Sequence, residues 1–307
     1  MDELAALRAA ASNVRFDTKR AAFVVGSRLT RGLTKLVWAL VPVPQHAWPT
    51  ASCVGCTELQ RRARGETIER QCHVAPPPAR RAGPLLQSKK RRRASSSAFE
   101  LIVVASTTPV AAAAAGTRER TCKGGRDARE HGKAVDRDID RYVARPASLS
   151  RPAVDPCAVM LVAFMRESLG LVPVATQVPI YSSRLNFATA IDVLAVDVRT
   201  RSKLYLIEVK SSRMGGGATK TSAHACYTHD AAPGTRLRAL PAAVAVSTYW
   251  QHQLQLWAMV STVRREYGVA LAGAAVIRTS PRTAFHYTLE PALEAADARL
   301  VAAFRAL

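Results

Sequence analysis

Two apolar runs decide the fold: Ala190-Ile191-Asp192-Val193-Leu194 and Leu204-Tyr205-Leu206-Ile207-Glu208-Val209-Lys210. Thr200 to Ser202 supplies a turn between them. Paired as a hairpin centred near Thr200, the runs place Asp192 opposite or nearly opposite Glu208, with Cβ atoms about 4.5–5.5 Å apart if directly opposed. Lys210 follows Glu208 by two residues, so both project from one face of one strand. The neighbours Ile191, Val193, Leu206, Ile207 and Val209 are apolar, as in strands buried on both faces. Two carboxylates facing each other there repel, and one takes up a proton unless a cation intervenes. Oxygen ligands at this density suit Mg²⁺ or Mn²⁺. The nearby lysine can then orient an attacking water or stabilise charge developing on a phosphate. An Asp–Lys or Glu–Lys ion pair at a strand end explains the same residues without chemistry.

Around this hairpin the sequence reads as a domain over residues 151–307. Asp155 before Pro156 is an N-cap with proline at the first helical position, and Gly170 closes that helix. Strands are expected over Val172–Tyr181, Ala190–Val198 and Leu204–Lys210, then a polar loop from Ser211 to Gly234. A helix follows from about Ser247 to Tyr267, strands over Val269–Arg278 and Ala284–Thr288, and a last helix over about Pro291–Phe304. The order α-β-β-β-α-β-β-α predicts an α/β domain.

The preceding half differs. Residues 61–150 hold 20 basic and 9 acidic groups, with Pro76-Pro77-Pro78, Ser95-Ser96-Ser97 and the pentad Lys89-Lys90-Arg91-Arg92-Arg93. Residues 45–150 read as basic linker or disorder, and residues 1–44 as a short helical segment. The pentad is a candidate nuclear localisation signal or nonspecific DNA tether. The whole chain, 307 residues with a formal charge of +21, predicts a polyanionic partner. No apolar run reaches the roughly 18 residues of a membrane span. Six cysteines fit a reducing compartment rather than a disulfide scaffold, so an intracellular site is expected. Cys53, Cys56, Cys72 and His73 carry zinc-ligand chemistry, but Cys72 and His73 are adjacent, and zinc is not expected there.

At Asp192 and Glu208-Val209-Lys210 the sequence resembles the PD-(D/E)XK nuclease superfamily, and within it the RecB-like branch. Gln253-Leu254-Gln255-Leu256-Trp257 is similar to that branch's glutamine helix, with Trp257 where tyrosine is usual. The resemblance covers about half the chain. It implies a restriction-endonuclease-like core, with a mixed central sheet flanked by helices, and a metal-dependent nuclease acting on single- or double-stranded DNA in recombination, repair or genome processing. It implies Asp192, Glu208 and the Val209 carbonyl as ligands of Mg²⁺ or Mn²⁺, Lys210 as the catalytic lysine and Gln253 as a catalytic positioning residue. Glu167, on the preceding helix, is the candidate to complete the metal site. The cysteine arrangement of the iron–sulfur members is absent, since no cysteine follows Cys226. Tyr249 shares a helix face with Gln253 and Trp257 at i, i+4, i+8 spacing, as a base-stacking aromatic would, or as part of the core. The alternative function is a catalytically inactive nucleic-acid-binding module that keeps the nuclease fold.

Overall fold

The structure, a computed structural model, describes residues 2–17, 22–41, 124–146, 154–211, 227 and 247–307. The N-terminal part forms α1 (Asp2–Ala10), strands β1 (Val14–Asp17), β2 (Ala22–Val25) and β3 (Arg28–Thr30), and α2 (Leu33–Leu40). Then come α3 (Gly124–Ala144), α4 (Pro156–Ser168), β4 (Leu171–Ser182), β5 (Phe187–Asp197) and β6 (Leu204–Ser211). The chain closes with α5 (Thr248–Arg265), β7 (Gly273–Thr279), β8 (Ala284–Thr288), α6 (Pro291–Ala295) and α7 (Asp297–Arg305). The last helix expected from the sequence is broken into α6 and α7 at Ala296.

Local chemistry sets the main boundaries. The Asp155 side chain accepts from the Cys157 N–H at 2.9 Å, Pro156 opens α4, and Gly170 takes φ +63° after it. Ser247 caps α5 through the Trp250 N–H, and Gly268 (φ +66°) follows its last turn.

The strands order as β4-β5-β6-β7-β8, with β6 and β7 parallel and every other pair antiparallel. This is the mixed sheet flanked by helices. The parallel pair is tight at Gly273, where a Cβ would come within 2.9 Å of the Tyr205 ring. On one face, Leu194, Leu206, Val276 and Tyr287 pack with α5; on the other, Val193, Ile207, Val209 and Ile277 pack with α3 and α4. The result is three layers, with both sheet faces dry.

Two expectations about the N-terminal half are corrected. Residues 124–144, placed in the linker, form α3, whose His131, Val135, Ile139 and Tyr142 are buried. That spacing is one helical stripe, and a histidine at its head disguises it as polar sequence. Residues 1–44 hold a three-stranded sheet as well as helices, and Leu7, Leu33, Val37 and Val41 belong to the same core as Trp257. Among the described residues, no helix is long and apolar enough to cross a membrane. Lys89–Arg93 and Cys53, Cys56, Cys72 and His73 lie outside the described residues.

If α3 is part of the folded core, Ile139→Ala should cost roughly 2–4 kcal/mol, the usual range for a buried Ile truncated to Ala. Val37→Asp should cost at least as much, because it buries an unpaired charge. Denaturant midpoints close to wild type for both would detach these segments from the core.

Candidate metal and catalytic site

Strands β5 and β6 pair in the register centred on Thr200, with Val193 against Ile207 and Leu194 against Leu206. One step further, at the end of the ladder, Asp192 faces Glu208. There the Asp192 Oδ2 accepts the Val209 N–H at 2.8 Å, a side chain taking the place of the next backbone partner. Its Oδ1 lies 3.5 Å from the Gln177 amide of β4. Gln177 itself is held at φ +48°, in the left-handed region that a non-glycine residue occupies at some cost. Lys210 Nζ lies 2.5 Å from Glu208 Oε1, and Glu208 is buried.

The third carboxylate is Asp136, from α3. Burial pushes its carboxyl up to about 6; the Lys210 charge pulls it down and Glu208 pushes it up. Burial also raises the Asp192 carboxyl well above the ordinary range, with Glu208 and Asp136 adding repulsion against Lys210 and the Val209 N–H. For Lys210 burial favours the neutral amine, yet Glu208 and Asp192 outweigh it and the ammonium is held above its usual pKa. Lys210 is thus a fixed positive charge at neutral pH.

Further polar side chains stand on the β7 side of this cluster. Arg278 is the register partner of Lys210 on the neighbouring strand, and its guanidinium carbon sits 4.1 Å from the Tyr227 ring centroid. The Tyr227 hydroxyl is 2.8 Å from His252 Nδ1. Burial, then Lys210 and Arg278, hold His252 well below its usual pKa, so the imidazole is neutral.

Several sequence-predicted residues are placed elsewhere. Glu167 is exposed in the last turn of α4, and Asp136 stands among the carboxylates instead. The Gln253 amide donates to the Thr288 carbonyl (3.1 Å) and accepts from the Glu290 N–H (3.0 Å), so both its ends are spent on backbone after β8. Tyr249 is buried, bonded through its hydroxyl to Glu290 and set edge-on to Tyr227 at 5.5 Å; it offers no open face to a base. Trp257 is core, against Phe304. Val209 belongs to the site, where its N–H donates to Asp192 Oδ2. Asp136 was detectable only by recognising the α3 stripe. His252 and Arg278 had no signal beyond position, and Arg278 follows from the parallel register alone.

A separate cluster joins α3 to α4: His131, Asp155 and Cys157 have donor atoms within 4.8 Å of one another. These are donor types that a zinc ion takes. However, Asp155 Oδ2 meets His131 Nδ1 at 3.1 Å while Cys157 Sγ meets Nε2 at 3.6 Å. Contacts to opposite nitrogens of one ring do not gather donors around a single point as an ion would.

A scan against models of known protein families finds no match, and a search of curated proteins finds none. The residues themselves therefore carry the functional argument.

Three carboxylates around one ammonium fit a hard divalent cation. Asp136 and Asp192 have higher pKa values folded than unfolded, so their contribution to stability is full below about pH 4. It is lost as pH rises through about 6 for Asp136 and through the raised value of Asp192. Lys210, also raised, stays charged throughout this window. Without divalent ions the protein should therefore melt lower at pH 8 than Asp136→Asn does, by a margin that shrinks toward pH 5. Mn²⁺ should raise the wild-type melting temperature by several degrees at pH 8, less at pH 5, and little in Asp192→Asn. An equal Mn²⁺ effect in Asp192→Asn would move the cation away from these carboxylates.

Proposed function

We propose that this protein is a metal-dependent nuclease with a restriction-endonuclease-like core, hydrolysing DNA phosphodiesters. The supporting observation is the convergence of Asp136, Asp192 and Glu208 on Lys210, with both aspartates resisting ionisation where no cation balances them. Asp192 and Glu208 would hold Mg²⁺ or Mn²⁺ with Asp136, and the Val209 carbonyl is a further candidate ligand. The ion would supply Lewis-acid polarisation of the phosphodiester.

The chain's own contribution is orientation and charge. The Val209 N–H fixes Asp192, and Gln177 approaches its other oxygen. Glu208 and Asp192 favour the protonated form of Lys210; its ammonium would stabilise charge that develops on the scissile phosphate, an effect realised in the transition state. The strong basic excess of the chain fits a nucleic-acid substrate, which it would hold mainly through phosphates. Repair, recombination or genome processing is the context that such an activity serves.

The competing reading, a binding module without hydrolysis, draws on the 2.5 Å contact between Lys210 and Glu208, which can be a structural ion pair. The two separate experimentally. End-labelled DNA incubated with Mg²⁺, Mn²⁺ or EDTA should be cut only with metal. Asp192→Asn and Glu208→Gln should each lower the single-turnover rate at least ~10²-fold while the protein still folds, since each removes a ligand charge. Lys210→Ala should lower the rate steeply with DNA affinity retained, and Lys210→Arg should rescue poorly because a planar fork does not replace a compact ammonium. A Lys210→Ala protein that melts early yet cuts at the wild-type rate would leave the lysine a structural partner only.

A further inference from the structure

From the β7 side of the site we infer a subsite for a terminal phosphate, formed by Arg278, so that the substrate is a nucleic-acid strand end. The inference rests on the nuclease reading for its substrate class and on separate residues for its argument.

The placement follows from the sheet. Lys210 and Arg278 are register partners on adjacent parallel strands, which lie about 4.8 Å apart, so their side chains leave one face side by side. Crossing the sheet at this level, a strand would meet Gln177 on β4, Asp192 on β5, Glu208 and Lys210 on β6, and Arg278 on β7. The β4 side is open: Gln177 lines a cleft of about 330 Å³ whose other walls include Arg8, Ser12 and Thr176. The β7 side is closed. The Tyr227 ring stacks on the Arg278 guanidinium, Tyr287 bonds to Arg278, and the Tyr227 and Tyr287 rings meet at 5.0 Å. Tyr249 and His252 back the Tyr227 ring. A chain reaching Arg278 meets this aromatic wall and has no continuation past it among the described residues.

The charge suits a phosphate monoester. Without a cation, the charge of Lys210 and Arg278 is offset by Glu208 and by whatever ionisation the two aspartates retain. With a divalent cation on three ionised carboxylates, the site including Lys210 and Arg278 carries one net positive charge, which attracts an anion. A terminal phosphate carries more charge than an internal diester and offers oxygens to a bidentate guanidinium fork. The neutral imidazole and the phenols of the wall add hydrogen-bonding groups without competing charge. Phosphate capture should therefore depend on the cation, and it should reside in Arg278.

The test measures binding and cleavage of the full chain on one oligonucleotide prepared with a 5′-phosphate, with a 3′-phosphate, with hydroxyls at both ends, and as a circle. Anisotropy in Ca²⁺ should show one phosphorylated end bound at least ~10-fold tighter than the hydroxyl-ended strand, about the value of a charge-assisted bidentate contact. Arg278→Gln should erase that preference while leaving hydroxyl-ended and circular affinities unchanged. Arg278→Lys, which keeps the charge, should retain part of it. In Mn²⁺ the linear strand should be degraded and the circle spared. No preference between phosphate and hydroxyl ends, equal weakening of all strands in both variants, or a circle cut as fast as its linear form would each overturn the inference. Metal-dependent cutting lost in Asp192→Asn but indifferent to ends would keep the nuclease reading and remove this one. End preference without any cutting would do the reverse.

Discussion

The constraint on which the rest depends is charge balance at the ends of β5 and β6. Asp192 and Glu208 are brought together by a hairpin register that apolar side chains on both faces hold in place. Shifting that register by one residue would turn every side chain of a strand to the opposite layer, so the carboxylates cannot relax apart by slipping. Asp136 then adds a third carboxylate from α3. Lys210 offsets only part of this, and the remainder appears as proton affinity in Asp136 and Asp192. Such an arrangement costs stability in the absence of a counter-ion, on the order of 2–3 kcal/mol for a carboxyl shifted as far as Asp136. In the proposed nuclease, a divalent cation on the carboxylates would offset that cost.

The central helix α5 shows how the layers on one side are tied together. It is buried on almost every face, yet it carries Gln251, Gln253 and Gln255. The NH2 group of each amide finds a partner outside α5. Gln251 donates to the Val41 carbonyl after α2, Gln255 approaches Thr34 at the start of α2, and Gln253 bridges the backbone beyond β8. These contacts link the N-terminal helices and the C-terminal strands to one rod, because a buried amide left unbonded would cost about 1–3 kcal/mol. His252 sits between two of these glutamines and reaches toward the charged site instead.

The core of the fold was readable in the sequence because its signals are local. Asp155-Pro156, Gly170 and Gly268 punctuate the helices, and the alternating hairpin centred on Thr200 sets its own register. Asp192, Glu208 and Lys210 came together for the same reason. What escaped is long-range. The α3 stripe begins with a histidine and is separated by charged residues, so its mean hydropathy reads as solvent-exposed, and only contact with β4 and β6 makes it a helix of the core. The strands β1 to β3 are three or four residues long, too short for period-2 alternation to register. The resemblance placed Gln253 at the site, and a buried amide needs a partner. That premise holds, but the backbone of Thr288 and Glu290 supplies the partner.

The position of Asp136 joins these points. Its helix is fastened to α4 by Asp138, which accepts the Asp155 N–H at 2.8 Å, and by the chain of Asp155, His131 and Cys157. Those contacts lie on the turns either side of Asp136, and Val135 and Ile139 bury the same helix against the sheet. The like-charge repulsion from Glu208 pushes Asp136 outward, and the packing of α3 holds it in. One helix therefore does two jobs with opposite electrostatic sign: its buried stripe lowers the free energy of the fold, and its acidic residue spends part of that gain on the site. In the proposed nuclease, a cation bound by the carboxylates would convert the second term from a cost into a further attachment of α3 to the sheet, and metal binding and the order of this helix would then be thermodynamically linked.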